Sequence, residues 1–273
     1  MTSKATQIGK VFLIGAGPGD PKLLTLKAAE ALSESDVIIY DHLVNPEVLV
    51  HAGTGAELIY AGKRAGDHAK SQAEINRLLI QHALEGQIVS RLKGGDPFIF
   101  GRGGEEAEAL AESGIDWEII PGVSSGVAAA AYAGIPLTHR DYSSSVAFIT
   151  GHRARNAKRE TVMRAAAHAD TVVVFMCAET ITNIARDLVA TGRPSSTPIA
   201  IVRWATYEHQ QLFIGTLKDL ISPEEGQFEF SIEPPAIAII GEVVRLAPKL
   251  AWFGNEKLRH LRTSPDDAEL IPA

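Results

Sequence analysis

Charged side chains alternate with glycines in the stretch RLKGGDPFIFGRGGEE. Gly94 and Gly95 let the backbone approach a ligand closely, and Asp96 follows them directly. Arg102 offers a planar, permanently charged guanidinium that binds carboxylates through parallel hydrogen bonds. Glu105 either accepts a proton or favours the start of a helix through the helix dipole. This pattern predicts a turn that is built around a ligand.

Three other turns carry residues of the same kinds. GAGPGD contains Pro18 and places Asp20 where the dinucleotide-binding motif G-x-G-x-x-G has its third glycine, which argues against a pyrophosphate site. Two interpretations of this turn remain: it contacts a flat or cationic ligand, or it is only a strand-to-helix turn. Asp41 ends DVIIYD, where it could hold a ribose, act as a general base or cap the loop. Lys63 and Arg64, in YAGKRAG, are either ligand contacts or solvated basic residues.

The elements that position these turns alternate between strand and helix in the first half of the chain. An apolar run predicts a strand at 10–17, and further strands are predicted at 36–41, 56–62, 87–95 and 116–122. Helices are predicted at 24–35, 72–85 and 105–114. A capping box of Ser71 and Glu74 supports the second helix. This alternation is typical of a mostly parallel sheet covered on both faces, and the loops after its strands meet at one edge.

The second half predicts a different α/β domain. PGVSSGVAAAAYAGIPLTHRDYSSS contains a short Ala-rich helix and is interpreted as a hinge region. Further strands are predicted at 146–151, 171–176, 198–205, 209–217 and 234–241, with a helix near 179–190. The alternation in 209–217 favours antiparallel pairing. We therefore divide the chain into an N-terminal α/β domain (9–122), a hinge region (123–145), a C-terminal α/β domain (146–253) and a polar tail (254–273).

Composition limits the classes of function. The chain has 273 residues, 45% of them apolar, and a net charge of −7, which argues against a non-specific nucleic-acid binder. It has no apolar run of membrane-spanning length and no signal-peptide core, so we expect a cytoplasmic protein without a membrane partner. The single cysteine, Cys177, lies in an apolar run and is expected to be a small buried hydrophobe. His139 and His152 show no metal-ligand spacing, so no metal site is expected.

Six motifs, in order and at fitting spacings, resemble the uroporphyrinogen-III C-methyltransferases of the tetrapyrrole methylase family over roughly residues 9–253. They are VFLIGAGPGDPKLLTLKA, VIIYDHLV, GKRAG, VSRLKGGDPFIFGRGGEE, PGVSSG and GIPLTHRDYSSSVAFITGH. The resemblance implies two α/β domains with the site in the cleft between them, and a homodimer. It also implies S-adenosyl-L-methionine as methyl donor, S-adenosyl-L-homocysteine as product, and methylation of uroporphyrinogen III at C2 and C7 to give precorrin-2 via precorrin-1.

The same resemblance assigns individual residues. Asp41 matches the proton acceptor and Lys63 the proton donor, while Arg102 and Glu105 match positions that bind or orient the tetrapyrrole. The positions that match the methyl-donor site are Pro18, Gly94, Gly95, Asp96, Ile99, Ser124, Ser125, Met176 and Ala205. The expected substrate contacts are Arg64, Arg102, Arg140 and Met176. Many relatives carry Thr-Ala in place of the two serines and Gly in place of Ala205.

The chemistry of such a reaction fits these residue types. The acceptor is an electron-rich pyrrole carbon, so no protein nucleophile is needed and catalysis consists largely of alignment. Arginines suit a polycarboxylate substrate, and Asp41 or Glu105 is a better base than a guanidinium. The alternatives are a methylase of a later corrinoid precursor, a nucleotide-binding dehydrogenase, which Asp20 disfavours, and a non-catalytic binding module. The product could serve sirohaem, cobalamin or haem d1 synthesis.

Overall fold

The structure, a computed structural model, describes most of the chain in two compact units. The described residues are 8–62, 70–152, 159–222, 232–254 and 258–260. The first unit ends at Ser125 and the second begins at Gly126, a boundary that lies inside the predicted hinge region.

A sheet of five parallel strands forms the centre of the first unit. Its strands are β1 (Lys10–Gly15), β2 (Val37–Tyr40), β3 (Glu57–Tyr60), β4 (Val89–Lys93) and β5 (Asp116–Ile120), in the order β3-β2-β4-β1-β5. Its helices are α1 (Leu26–Glu34), α2 (Gln72–Leu84) and α3 (Gly103–Glu112). Separate apolar clusters cover the two faces of the sheet, as a parallel sheet buried on both faces requires.

Local sequence explains where these helices begin. The Thr25 hydroxyl accepts a hydrogen bond from the Ala28 amide at the start of α1. Ser71 and Glu74 form the predicted capping box at the start of α2. By contrast, α3 begins after Arg102, whose φ of 59° is left-handed and whose side chain makes no capping bond.

The second unit contains a mixed sheet of six strands. They are β6 (Val146–Thr150), β7 (Thr171–Phe175), β8 (Pro198–Arg203), β9 (Gln211–Thr216), β10 (Ala236–Ile240) and β11 (Leu258–His260), in the order β11-β9-β8-β10-β7-β6. The predicted antiparallel pairing of β9, with β8, is confirmed. Helices α4 (Ser125–Tyr132), α5 (Arg159–Ala167), α6 (Ile181–Ala190), α7 (Leu217–Ile221) and α8 (Ala247–Leu250) complete the unit.

All ten predicted strands and five predicted helices are present. The strands are one to four residues shorter than predicted, and α3 begins and ends two residues earlier than predicted. The elements that the sequence did not predict are α5, α7, α8 and β11, together with short 3-10 helices at Pro21–Leu23, Pro46–His51 and Glu242–Leu246. Cys177 is fully buried, as expected. Among the described residues, none of the helices combines the length and apolar character that crossing a membrane requires.

Candidate active site

Three loops at the carboxyl edge of the first sheet pack against one another through glycine backbone. Gly17 and Gly95 form an antiparallel pair in which each amide donates to the other carbonyl, at 3.2 and 2.7 Å. A Cβ on Gly15 would lie 2.5 Å from the amide nitrogen of Gly122, and a Cβ on Gly122 would lie 2.4 Å from the carbonyl oxygen of Gly95. The ends of β1, β4 and β5 therefore approach more closely than any side chain would permit.

Asp96 ties two of these loops together. Its Oδ1 accepts a hydrogen bond from the Phe98 amide at 2.9 Å, and its Oδ2 accepts one from the Gly122 amide at 3.1 Å. The residue is half-buried and follows Gly95, whose φ of +69° suits glycine. The carboxylate thus fixes the shape of the turn after β4.

The other residues expected to contact a methyl donor in the first unit surround this junction. Gly94 lies against Leu43 in the loop after β2, since a Cβ added there would be 3.0 Å from the Leu43 Cβ. The Ser125 amide would lie 3.4 Å from a Cβ on Gly95. The Ser124 hydroxyl is buried and has no hydrogen-bond partner among the described residues. Pro18 is half-buried in the turn after β1.

Ile99 belongs to an apolar segment that faces solvent. Phe98, Ile99 and Phe100 are all exposed, although Phe and Ile usually occupy protein interiors. Phe100 also has a left-handed φ of 53°. An exposed apolar segment beside a polar turn suits contact with a flat ligand.

Asp41 is held by buried cations. Its Oδ1 accepts a hydrogen bond of 2.6 Å from Arg91 Nη2, and its Oδ2 lies 3.8 Å from Lys93 Nζ. The Arg91 side chain is only 2% exposed, whereas that of Asp41 is 31% exposed. Asp41 therefore has one side fixed by the protein interior and another side open to solvent.

A second carboxylate, Glu106, shares the same cations. Its Oε1 accepts hydrogen bonds from Arg91 Nε at 3.0 Å, Lys93 Nζ at 2.9 Å and Gln72 Nε2 at 3.0 Å. Burial opposes its negative charge, but Arg91 and Lys93 outweigh burial and lower the pKa of Glu106. Burial, together with the nearby Arg91, lowers the pKa of Lys93. We call Asp41, Arg91, Lys93 and Glu106 the Asp41 cluster.

Sequence reasoning missed three members of the Asp41 cluster. Arg91 and Lys93 are two residues apart in β4 and so lie on the same face of the central strand of the sheet. Two cations on one face of a buried parallel strand were the available signal, because such strands are normally apolar throughout. Glu106 is adjacent to Glu105, and the sequence offered no means of telling which of the two is buried.

Arg102 and Glu105 form an exposed ion pair. Arg102 Nε and Nη2 donate to the two oxygens of Glu105 at 2.9 and 2.7 Å, and both side chains are about half exposed. The hydrogen bond to Glu105 raises the pKa of Arg102. The guanidinium fork expected to bind a substrate carboxylate is thus occupied by a neighbouring side chain.

Two predicted residues lie at one edge of the second sheet. Met176 follows β7 and is exposed, with a φ of 52°. Ala205 follows β8 and is buried. Cys177 Sγ donates to the Ala236 carbonyl at 3.4 Å, and the Trp204 amide donates to the Pro235 carbonyl at 3.4 Å. Both loops therefore border the backbone at the start of β10.

Arg140 lies at a different place in the second unit. It is exposed on a turn in which the His139 amide donates to the Ser143 carbonyl at 2.9 Å. The Ser143 hydroxyl lies 2.8 Å from that of Thr171, at the start of β7, whereas Met176 follows its end. The structure does not group Arg140 with Met176.

Two expected residues, Lys63 and Arg64, lie outside the described residues. Within the described ranges, no group of three or more His, Cys, Asp and Glu side chains is arranged to hold a metal ion.

The fold and this glycine-rich edge define a class of protein. The sequence matches the tetrapyrrole (corrin/porphyrin) methylases over residues 10–221. The chain belongs to this family.

Individual relatives give finer comparisons. The chain is 49% identical over 250 residues to the uroporphyrinogen-III C-methyltransferase of Bacillus subtilis (strain 168), covering 91% of this chain and 96% of that protein. It is 47% identical over 249 residues to siroheme synthase 2 of Aeromonas hydrophila, covering 91% of this chain but only 52% of that longer protein. Its structure is similar, with a TM-score of 0.74 and 40% identity, to uroporphyrin-III C-methyltransferase from Thermus thermophilus complexed with S-adenosyl homocysteine, over 87% of this chain and 94% of that one.

Proposed function

We propose that this protein transfers methyl groups from S-adenosyl-L-methionine to C2 and C7 of uroporphyrinogen III, giving precorrin-2 via precorrin-1. The observation that carries the proposal is the glycine-packed junction after β1, β4 and β5, which lies at the same sheet edge as Asp41, a partly exposed aspartate held by buried cations. Family membership and the similarity to the Bacillus subtilis enzyme support the same reaction.

The residues at the junction fit the methyl donor. Ser124 offers a buried hydroxyl without a partner among the described residues, and glycines leave backbone amides and carbonyls accessible. Buried polar groups usually have partners, so the Ser124 hydroxyl is suited to a polar group of a ligand. The bound donor supplies a methyl group on a sulfonium, and carbonyl oxygens favour that positive charge.

The protein's part in the reaction is to align the reactants and accept a proton. The electron pair of the pyrrole carbon forms the new C–C bond, and the electrons of the S–C bond stay on sulfur. The methylated macrocycle, now cationic, then loses a proton. Asp41 accepts it in our proposal, because its carboxylate is oriented by Arg91 and partly open to solvent. Glu105 is the second candidate, although its oxygens are bound to Arg102.

Arg102 binds a substrate carboxylate in the proposed reaction. An exposed ion pair is worth only ~0–1 kcal/mol, so a substrate carboxylate can displace Glu105 from the guanidinium at little cost. Met176 and Ala205 are proposed donor contacts from the second unit, with Met176 also touching the substrate. Lys63, Arg64 and Arg140 are proposed from family resemblance alone, as are a homodimer and a cytoplasmic location. Partner enzymes would then convert precorrin-2 onwards.

A transfer assay tests the proposed function. The protein is incubated with donor labelled in its methyl group and with enzymatically made uroporphyrinogen III, and the products are resolved by mass. Label in a dimethylated product supports the proposal. Donor binding without transfer would indicate a binding module, and transfer only to later corrinoid precursors would indicate a methylase of another step.

A further inference from the structure

The Asp41 cluster contains two cations shared between two carboxylates. Glu106 is fully buried and contacts Arg91 and Lys93 through one oxygen, Oε1. Asp41 contacts the same two cations from the solvent side of the cluster. Two positive and two negative side chains lie within a few ångströms of one another. A change in the charge of any one of them therefore alters the electric field at the others.

Stability alone does not account for this cluster. Replacing a buried ion network by apolar side chains is often neutral or stabilising, so such a network is weak support for a purely structural role. The second oxygen of Glu106, Oε2, is buried without a partner among the described residues, which adds an energetic cost. Glu106 is a buried carboxylate with this energetic cost and lies beside the proposed proton acceptor. Its position suits it to adjusting the basicity of Asp41 more than to stabilising the fold.

We propose that Glu106 is a positioning residue for methyl transfer. Glu106 partly neutralises the positive charges of Arg91 and Lys93. Asp41 is therefore oriented by these cations but can still accept the proton released by the methylated macrocycle. This inference rests on the proposed function, in which Asp41 is the proton acceptor. Without the charge of Glu106, both cations would act on Asp41 alone and would make it a weaker base.

The groups that face Asp41 are few among the described residues. β4 contributes Arg91 and Lys93, and α3 contributes Glu106. Beside Asp41 in sequence, the His42 Nδ1 lies 3.2 Å from the hydroxyl of Tyr60, which ends β3. From α2, the uncharged Gln72 contacts Glu106.

Two near-isosteric variants shift the charge in opposite senses. Glu106→Gln removes a negative charge near Asp41, so protonation of Asp41 becomes harder and the acid limb of the kcat–pH profile moves to lower pH. Lys93→Met removes a positive charge, so the acid limb moves to higher pH. We expect Glu106→Gln to lower kcat about tenfold at neutral pH, because a weakened base loses part of its usual contribution. KM for the methyl donor stays within about twofold, since Glu106 lies outside the proposed donor site.

The double variant and a control complete the test. Glu106→Gln combined with Lys93→Met leaves one cation facing one carboxylate, and its acid limb returns towards that of the wild type. Glu108→Gln, at an exposed position of the same helix, leaves the profile unchanged. Circular dichroism confirms that each variant is folded. Where Glu106→Gln does not fold, Lys93→Met alone tests the direction in which the acid limb moves, and Glu106→Asp, which keeps the charge, retains the wild-type limb.

The outcomes separate this inference from the proposed function. Absence of methyl transfer by the wild type overturns the proposed function and this inference with it. An active wild type whose acid limb is unmoved by both single changes, or moved in the same direction by both, overturns the charge-sharing role alone.

Discussion

Gly122→Ala should disrupt the glycine-packed junction and with it donor binding. The new Cβ would lie 2.4 Å from the carbonyl oxygen of Gly95 and 2.7 Å from the Cα of Gly15. Ordinary contact begins at 3.4 Å, so the loops would have to separate by about 1 Å at the tighter point, 3.4 less 2.4. Neither obstacle is a flexible side chain, and Gly95 is also held by its pair of hydrogen bonds to Gly17.

The cost has two parts. Overpacking of this kind costs ~1–3 kcal/mol, and loss of the hydrogen bond from the Gly122 amide to the Asp96 carboxylate costs about as much again. We therefore expect the free energy of unfolding to fall by ~2–6 kcal/mol and Tm by ~5–20 °C. Because Asp96 shapes the turn proposed to hold the donor, the Kd for S-adenosylhomocysteine should rise at least about tenfold, equivalent to ~1.4 kcal/mol.

Calorimetry measures both quantities on the same preparations. Gly104→Ala is the matched control for stability, because a Cβ there would meet nothing within 4 Å and alanine favours the helix that it occupies. If Gly122→Ala retained the wild-type Tm and Kd, the close backbone approach of the three loops would not be what shapes the site.

Four further predictions follow from individual contacts. Arg102→Lys should lower turnover at least about tenfold yet leave S-adenosylhomocysteine binding unchanged in a binding titration, because an ammonium cannot reproduce the guanidinium fork. Asp96→Ala should weaken binding of the same ligand first, measured by calorimetry; an unaltered Kd would argue against its role. Hydrogen bonds from Lys10 and Lys27 lower the pKa of Glu118 to about 2. The folded-state pKa of Glu118 lies below its ordinary value of 4.5, so the ionised carboxylate stabilises the fold above pH 4.5. This stabilisation is lost as the pH falls towards 2. The difference in Tm between wild type and Glu118→Gln should therefore shrink over that range. Burial raises the pKa of Cys177 to about 12, so iodoacetamide should label it at pH 8 only after unfolding, as mass spectrometry would report.

The regular part of the fold was predictable because each strand carries its own signal. β1 is mostly apolar, and β4 and β5 each contain apolar residues and are followed by glycine or turn residues. Their parallel pairing with β1 follows from the helices between the strands. Elements with weak local patterns escaped prediction. α5 has the polar sequence RETVMRAAA, and its buried Met163 and Ala166 are recognisable as a core face only once α6 and the sheet are in place.

The candidate site was predictable where glycine marks a turn and unpredictable where burial decides. The sequence Gly94-Gly95-Asp96 predicts a tight turn with little side-chain bulk, and in the structure these residues lie at the centre of the junction. Glu105 and Glu106 are chemically identical neighbours, yet one faces solvent and the other is fully buried. The direction in which α3 presents them depends on its start after Arg102, which long-range packing determines.

Arg102 has an energetically unfavourable backbone conformation and a weakly held side chain. Together these features favour exchange of Glu105 for another carboxylate. A left-handed backbone costs a non-glycine residue roughly 1–2 kcal/mol, so the fold maintains this conformation against a local preference. The Pro97 carbonyl accepts the Gly103 amide at 3.0 Å, which fixes the backbone on the far side of Arg102. Among the described residues, the guanidinium is held by the exposed Glu105, an interaction worth ~0–1 kcal/mol that salt screens further. A backbone fixed by hydrogen bonding and a readily exchanged ion pair suit the role proposed for Arg102, because a substrate carboxylate would then replace Glu105 without reorganising the loop.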